Sequence, residues 1–254
     1  IAAQIANSNV NLCTTLVTYM ANLFYQNSSF NSDISFWDTT NVTNMSLIFR
    51  AANTFNQDIG NWNTSSVTNM NEMFRNAWAF NKDIGSWDTS NVSSMVSMFA
   101  SASAFNQNIG NWDTSNVTDM SKQFKAAEVF NQDLTGWCVS SITSEPSEFV
   151  NLSSVLTEAN KPIWGTCPNY NINVTASSNS DYTLSGSDRN GTVAGNDPSI
   201  NINVGDEINF IVDAASHPFY IKTTQGTGTD NQVSNVTNNG ATSGVVNWTP
   251  TTAG

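Results

Sequence analysis

Asp33, Asp58, Asp83, Asn108 and Asp133 recur at one position of a repeating pattern and form a column of oxygen donors. Each precedes an Ile or Leu that reads as inward-facing, so alternation turns the column outward. Neighbouring carboxylates about 5 Å apart would repel by roughly 3 kcal/mol at an effective dielectric of 20. Hydrogen bonds within each turn would relieve this. Calcium held between coils by Asp33, Asp58, Asp83 and Asp133 is the sharper alternative, because hard oxygen ligands suit it. The turn reading is preferred and no cofactor is expected.

Catalysis finds little support. The single histidine, His217, has no cysteine near it, so neither a Cys–His nor a Ser–His–Asp arrangement has a second signal. Carboxylate pairs such as Asp33 with Asp38 and Asp83 with Asp88 recur with the pattern itself, which points to repeat chemistry. N-x-Ser/Thr sequons, among them Asn41, Asn91 and Asn116, follow from the Asn, Ser and Thr content and matter only in a glycosylating host. The chain is therefore read as a non-enzyme.

The elements that must carry these residues are set by a 25-residue step. Trp37, Trp62, Trp87, Trp112 and Trp137 keep it, as do Phe30 through Phe130, Ile34 through Leu134, Val42 through Val117, Met20 through Met120 and Phe24 through Phe149. A fixed period of this size means stacked coils, none of which can bury its own apolar side alone. Met70, Met73, Phe74 and Ala77 stand at i, i+3, i+4 and i+7, a helical stripe. Thr43, Thr68 and Thr118 precede such stripes, where a hydroxyl would cap the first turn. A brief apolar beat at Asp58-Ile59 suggests a short parallel strand. The expectation is an α/β solenoid with leucine-rich-repeat proportions over residues 1–168, its coils starting near 5, 30, 55, 80, 105 and 130. Asn31, Asn56, Asn81, Asn106 and Asn131 would satisfy backbone groups at each corner.

Residues 55 to 74, Phe-Asn-Gln-Asp-Ile-Gly-Asn-Trp-Asn-Thr-Ser-Ser-Val-Thr-Asn-Met-Asn-Glu-Met-Phe, resemble the 25-residue repeat of mycoplasma-type bacterial surface lipoproteins, a relative of BspA-like leucine-rich repeats. The likeness covers about residues 5 to 168. It implies a secreted or cell-surface location and a role in adhesion or interaction, with no known catalytic site. The first coil departs from the pattern, with Ile5 for Phe, Leu12 for Trp and Asn27 for Ala.

Cys13 and Cys138 occupy the same repeat position five coils apart, roughly 24 Å at about 4.8 Å per strand. A disulfide needs Cα atoms within about 7 Å, so these two do not pair in a regular stack. Cys138 and Cys167 bracket a segment that loses the repeat after Phe149, which reads as a capping loop, 138–168, stapled to the last coil. Such a bond implies an oxidising compartment. Cys13 would be free and buried, or paired with residues upstream. The start, Ile1-Ala2-Ala3, reads as interior to a longer chain, with any secretion signal before it.

From residue 169 to 254 the composition shifts to Asn, Ser, Thr, Gly and Val, with strand-like runs at Tyr170–Ala176, Tyr182–Gly186, Ile200–Val204, Glu207–Val212, Phe219–Thr223 and Gly244–Thr249. This is the pattern of an all-β Greek-key sandwich. The stretch from Asn203 to Phe210, followed by Ser216-His217-Pro218-Phe219-Tyr220-Ile221-Lys222, resembles the cupredoxin family, which is plastocyanin-like in strand order. The resemblance places His217 at a copper-ligand position. No second histidine exists and no cysteine follows Cys167, so the remaining ligands would have to come from a downstream Cys-His-Met segment of a longer chain. The sandwich would also lack its last strand, leaving an open edge.

Eight Lys and Arg stand against twenty Asp and Glu, a formal net charge of −12, so a phosphate backbone would be repelled and nucleic acid is not an expected partner. No run approaches the roughly 20 apolar residues of a membrane span. The leading expectation is a non-catalytic protein of the cell exterior or a virion surface that mediates adhesion. Its partners would be proteins or surface glycans, copies of itself included. A structural subunit of a filament, sheath or virion surface ranks second, and a copper electron-transfer protein in a longer parent chain third. Exposed aromatics off the repeat columns would favour the first.

Overall fold

The computed structural model describes residues 13–151, 155–176, 182–224 and 229–251. The chain divides into two compact units, Ile1–Thr166 and Cys167–Gly254. Ile5 and Leu12 lie outside the described residues.

In the first unit every periodic apolar column is buried, with Phe55, Ile59, Val67, Met70, Met73, Phe74 and Ala77 of one coil at 0% exposure. Rings repeat face to face along the stack. Phe49 and Phe74 lie 5.6 Å apart, Phe55 and Phe80 5.9 Å, and Trp37 and Trp62 6.4 Å. Each buried indole N–H has a partner in the preceding coil: Trp62, Trp87, Trp112 and Trp137 donate to the carbonyls of Ile34, Ile59, Ile84 and Ile109 at 2.9–3.2 Å. This satisfies the polar atom that would otherwise oppose burial of tryptophan.

The α/β solenoid expected from the sequence is overturned, because no α-helix occurs among the described residues. The stretch Met70–Ala77 is a ladder of turns. The N–H groups of Met70, Glu72, Phe74 and Asn76 donate to Ser94, Val96, Met98 and Ala100 in the next coil, while those of Met73, Arg75 and Ala77 donate three residues back. An α-helix would return every N–H four residues back within its own segment. Here half of them leave the coil. Glu72 and Asn76 hold φ of 54° and 59°, and the pairs Leu47/Ala51, Ser97/Ser101 and Lys122/Ala126 do the same. Left-handed residues spaced by four break a helix. The same spacing brings every fourth side chain to one face, which explains why the apolar stripe imitates a period of 3.6.

Two companion expectations fall with the helix. Thr43 and Thr68 do not cap; their hydroxyls donate to the carbonyls of Thr18 and Thr43 in the coil before. The parallel pairing is not at Asp58-Ile59 but in single bridges running Tyr19, Asn44, Asn69, Ser94 and Asp119. At each bridge the flanking N–H groups point in opposite directions: Thr68 donates back to Thr43 and Met70 forward to Ser94.

The last coil is closed by residues that stand in for a further one. Leu134 donates to the carbonyl of Asn160, Thr157 to the Asn131 side chain, and Val139 to Thr166. Phe149 ends the ring column by turning edge-on to Phe124 and meeting Trp164, also edge-on, at 5.0 Å. Lys161, largely buried, bridges Glu145 and Glu158 beside a short 3-10 turn, Glu158–Asn160. Cys138 and Cys167 are joined as a disulfide, as expected. Cys13 is free but exposed rather than buried.

The second unit is one mixed six-stranded sheet. Its strands are β1 (Asn169–Ala176), β2 (Tyr182–Asp188), β3 (Gly191–Asn196), β4 (Glu207–Asp213), β5 (Val236–Thr237) and β6 (Ser243–Trp248), in the order β3-β2-β1-β4-β6-β5. β1 and β4 run parallel; the other neighbours are antiparallel. A two-sheet Greek-key sandwich of cupredoxin type is therefore overturned. The runs 200–204 and 219–223 form no strands. They are loops whose Ile200, Ile202, Phe219 and Ile221 pack on the apolar face of the sheet, over Ile172, Val174, Ile208, Phe210 and Val246. Irregular chain supplies the layer that a second sheet was expected to supply.

Candidate functional site

The periodic polar residues are occupied by the fold. Asp33, Asp58, Asp83, Asn108 and Asp133 each accept the backbone N–H two residues on, at 2.9–3.0 Å, and all are exposed. The bond from the Ser35 backbone holds the Asp33 carboxyl below its ordinary value of 3.8, with the Ser35 side chain adding to the effect. At Asp38 the Thr40 backbone acts in the same sense. These turns also fix the glycines: a Cβ at Gly85 would come 2.6 Å from the Asn108 carbonyl oxygen of the following coil.

The Asn column forms a ladder in which each side-chain oxygen accepts the backbone N–H of the next member, from Asn31 to Asn56 and on to Asn131. The sequon residues Asn41, Asn91 and Asn116 are engaged too, donating through Nδ2 to Thr15, Ser65 and Ser90 of the preceding coil at 2.6–2.8 Å. Attaching a sugar at Nδ2 would compete with that bond.

His217 sits half-buried in the turn after β4, its backbone N–H donating to the Ala214 carbonyl at 2.8 Å. Among the described residues no three His, Cys, Asp or Glu side chains converge to hold a metal ion. No helix of the described residues is long and apolar enough to cross a membrane.

What remains are side chains that the repeat does not require. Among the described residues four large aromatics stand exposed off the buried columns: Tyr19, Tyr25, Phe36 and Trp78, the last at 53%. Sibling coils show how unusual each is. The position of Phe36 carries Asn61, Ser86, Asn111 and Gly136, and that of Trp78 carries Ser28, Asn53, Ser103 and Glu128. The fold thus accepts small polar residues at both places, and burial does not account for the aromatics. Sequence reasoning listed the periodic columns and passed over these residues. The signal that would have found them is an aromatic breaking an otherwise polar column.

Two arrangements surround these side chains. The Arg50 guanidinium lies 5.2 Å from the Tyr25 ring centroid, and Glu72 bridges Arg50 and Arg75 at 3.0 Å each. Lys122 and Lys125 similarly share Glu148, whose carboxyl is held low by the hydrogen bond from Lys125. Separately, Trp78 borders a shallow depression of about 270 Å³ whose other walls are Ser101, Ser103, Ala126 and Glu128. The chemistry on offer there is an aromatic face, two hydroxyls and a carboxylate.

No curated protein and no solved structure matches this chain. One family does, over residues 2–87 and again over residues 59–163, which together exceed half of the sequence. The second unit lies beyond both matches, and its single mixed sheet is not a cupredoxin sandwich. With its 25-residue coils and buried ring columns, the chain belongs to the family described as Mycoplasma protein of unknown function, DUF285.

Proposed function

We propose that this is a non-catalytic protein of the cell exterior whose repeat unit binds a partner surface. The observation that carries the reading is the set of exposed aromatics, Tyr19, Phe36 and Trp78, at positions where sibling coils hold small polar side chains. Rigid aromatic side chains give large contact area at low entropic cost, which is why binding surfaces are enriched in them. The Cys138–Cys167 disulfide supports an oxidising compartment. A structural subunit is the second reading, favoured by β3, which ends the sheet on one side.

The sibling coils supply the controls. Phe36→Asn, Trp78→Ser and Tyr19→Asn each install the residue of a neighbouring coil at the same position, so the fold tolerates them. Labelled full-length protein is titrated onto intact cells and counted by flow cytometry. Saturable binding that weakens at least tenfold in the triple variant supports the proposal. Equal binding by variant and parent, or none by the parent, overturns it.

A further inference from the structure

The depression beside Trp78 has a composition and size that narrow its occupant, a step that rests on the binding role proposed above. Trp78, Ser103 and Glu128 hold the same position in three successive coils. Trp78 and Glu128 thus stand two coil steps apart, roughly 10 Å along the stack at the usual spacing of neighbouring strands. Ser103 lies between them. Its hydroxyl donates weakly, at 3.4 Å, to the Trp78 carbonyl, which leaves its lone pairs directed to solvent. Ser101 and Ala126 make the adjoining wall from the same coils. Among the described residues nothing engages the Glu128 carboxylate, whereas the other glutamates of this unit, Glu72, Glu145, Glu148 and Glu158, are all in ion pairs.

These groups ask for a ligand with two properties. It must present a flat apolar face carrying slightly positive C–H groups to the electron-rich indole ring. It must also present hydroxyl or amide donors to Glu128 and both donors and acceptors to the serines. A fatty chain fails the second demand and a phosphate fails both. A simple cation would use the ring and the carboxylate, yet leave the two hydroxyls idle. A pyranose ring meets every demand, since its axial C–H groups form one apolar face and its rim carries hydroxyls. The volume, about 270 Å³, falls just below the roughly 300–1,000 Å³ range of ligand pockets, which suits one ring rather than a larger molecule. The carboxylate and the net charge of −12 select against acidic sugars.

We propose that Trp78, Ser101, Ser103 and Glu128 form a subsite for one neutral or N-acetylated hexopyranose of a surface glycan, stacked on the Trp78 indole. The subsite is open and contacts a single ring, so affinity per site is low and avidity would come from repeated units.

The test uses the full chain and a panel of methyl glycosides of glucose, galactose, mannose and N-acetylglucosamine, with methyl sialoside and choline as further probes. Saturation-transfer NMR reads which ligand protons touch the protein. The expected result is transfer to the axial ring protons of at least one neutral glycoside, lost at least tenfold in Trp78→Ser and reduced several-fold in Glu128→Gln. Thermal melts should be unchanged, because both substituted side chains are exposed. Transfer from no glycoside, equal transfer in Trp78→Ser, or a Trp78-dependent signal from choline alone would each overturn the subsite. Cell binding that persists in Trp78→Ser but disappears with Phe36→Asn would keep the binding role and reject this location for it.

Discussion

The two units solve one problem in opposite ways. In the repeat unit a single contact is made again and again: the indole N–H to the Ile carbonyl, the Asn side chain to the next Asn N–H, the Thr64 and Thr89 hydroxyls to the Asp88 and Asp113 carbonyls. In the sheet unit each contact occurs once. Arg189 grips Asp206 through two bonds at 2.7 and 3.0 Å, and Asp188 accepts from Asn190 and Asn201, pinning the segment that crosses between β3 and β4. The difference teaches where charge is needed. A stack can rely on repetition to fix register, whereas a core covered by loops must fasten each loop individually: buried ions hold the segment after β3, and the neutral Asn239 amide holds Ile221 through two bonds to its backbone.

The largest expected effect tests the stack. Trp112→Ala removes a side chain at 1% exposure and one of the two donors to the Ile84 carbonyl. Truncating a buried tryptophan costs about 3–5 kcal/mol, and this one should fall at the upper end. Coils contact only their neighbours, so the loss should melt the repeat unit while sparing the transition of the sheet unit. Urea titration followed by far-UV circular dichroism would reveal a single shared transition if that separation is wrong.

Arg189→Met is the matching experiment in the sheet. Asp206 has no exposure and would keep the Asn203 N–H but lose its counter-ion. Breaking one side of a buried pair costs about 3–4 kcal/mol, and the double variant Arg189→Met, Asp206→Leu should recover much of it. A single variant as stable as the parent, by the midpoint of the sheet transition, would mean that the pair does not fasten the loop.

A smaller effect with the opposite sign comes from an interruption in the stack. Gln123 stands where the coils before it place Met73 and Met98, is fully buried, and leaves both amide atoms without a hydrogen-bond partner. Gln123→Met should stabilise the repeat unit by about 1–2 kcal/mol, read as a raised melting temperature. A lowered one would show that the amide has a role in the stack.

Acidity gives the gentlest perturbation. Asp33 and Asp38 have folded values below 3.8, so their stabilisation is present above that pH and is lost as pH falls through the folded values. The melting temperature should hold steady above about pH 5 and decline below about 4. In a carboxyl NMR titration, Ser35→Ala should move Asp33 only part of the way back, because the backbone bond dominates.

Much of this was legible in the residues. Identical types at a fixed step announce stacking, and the buried columns of Phe, Ile, Trp, Val and Met follow from it. The helix was misread because left-handed residues four apart, such as Glu72 and Asn76, space side chains almost as a helical turn does, and Leu47, Glu72, Ser97 and Lys122, which share one repeat position, are not types that favour a positive φ. In the sheet unit, β1, β2 and β4 alternate visibly, whereas β6 sets Val245 and Val246 side by side. β3, Gly191-Thr192-Val193-Ala194-Gly195-Asn196, holds a single buried apolar side chain and carries no alternation to read. Ile200, Ile202 and Val204 do alternate, yet they form a loop, because alternation records which side chains face the core and not whether the backbone pairs. Trp78 breaks a column of Ser28, Asn53, Ser103 and Glu128, and a search for recurring residues does not select a residue that fails to recur.

The direction of the turn ladder has a consequence for how such a chain changes over generations. In every coil the N–H groups of alternate residues point one way and the matching carbonyls the other, so the two sides of a coil are complementary rather than alike. Removing or duplicating one whole 25-residue segment, as an out-of-register exchange between gene segments would, leaves every donor facing an acceptor and every ring facing a ring. An exchange offset by anything other than a multiple of 25 breaks all of them together. Length in this molecule is therefore inherited in whole steps, and a chain can gain or lose reach without having to find a new fold.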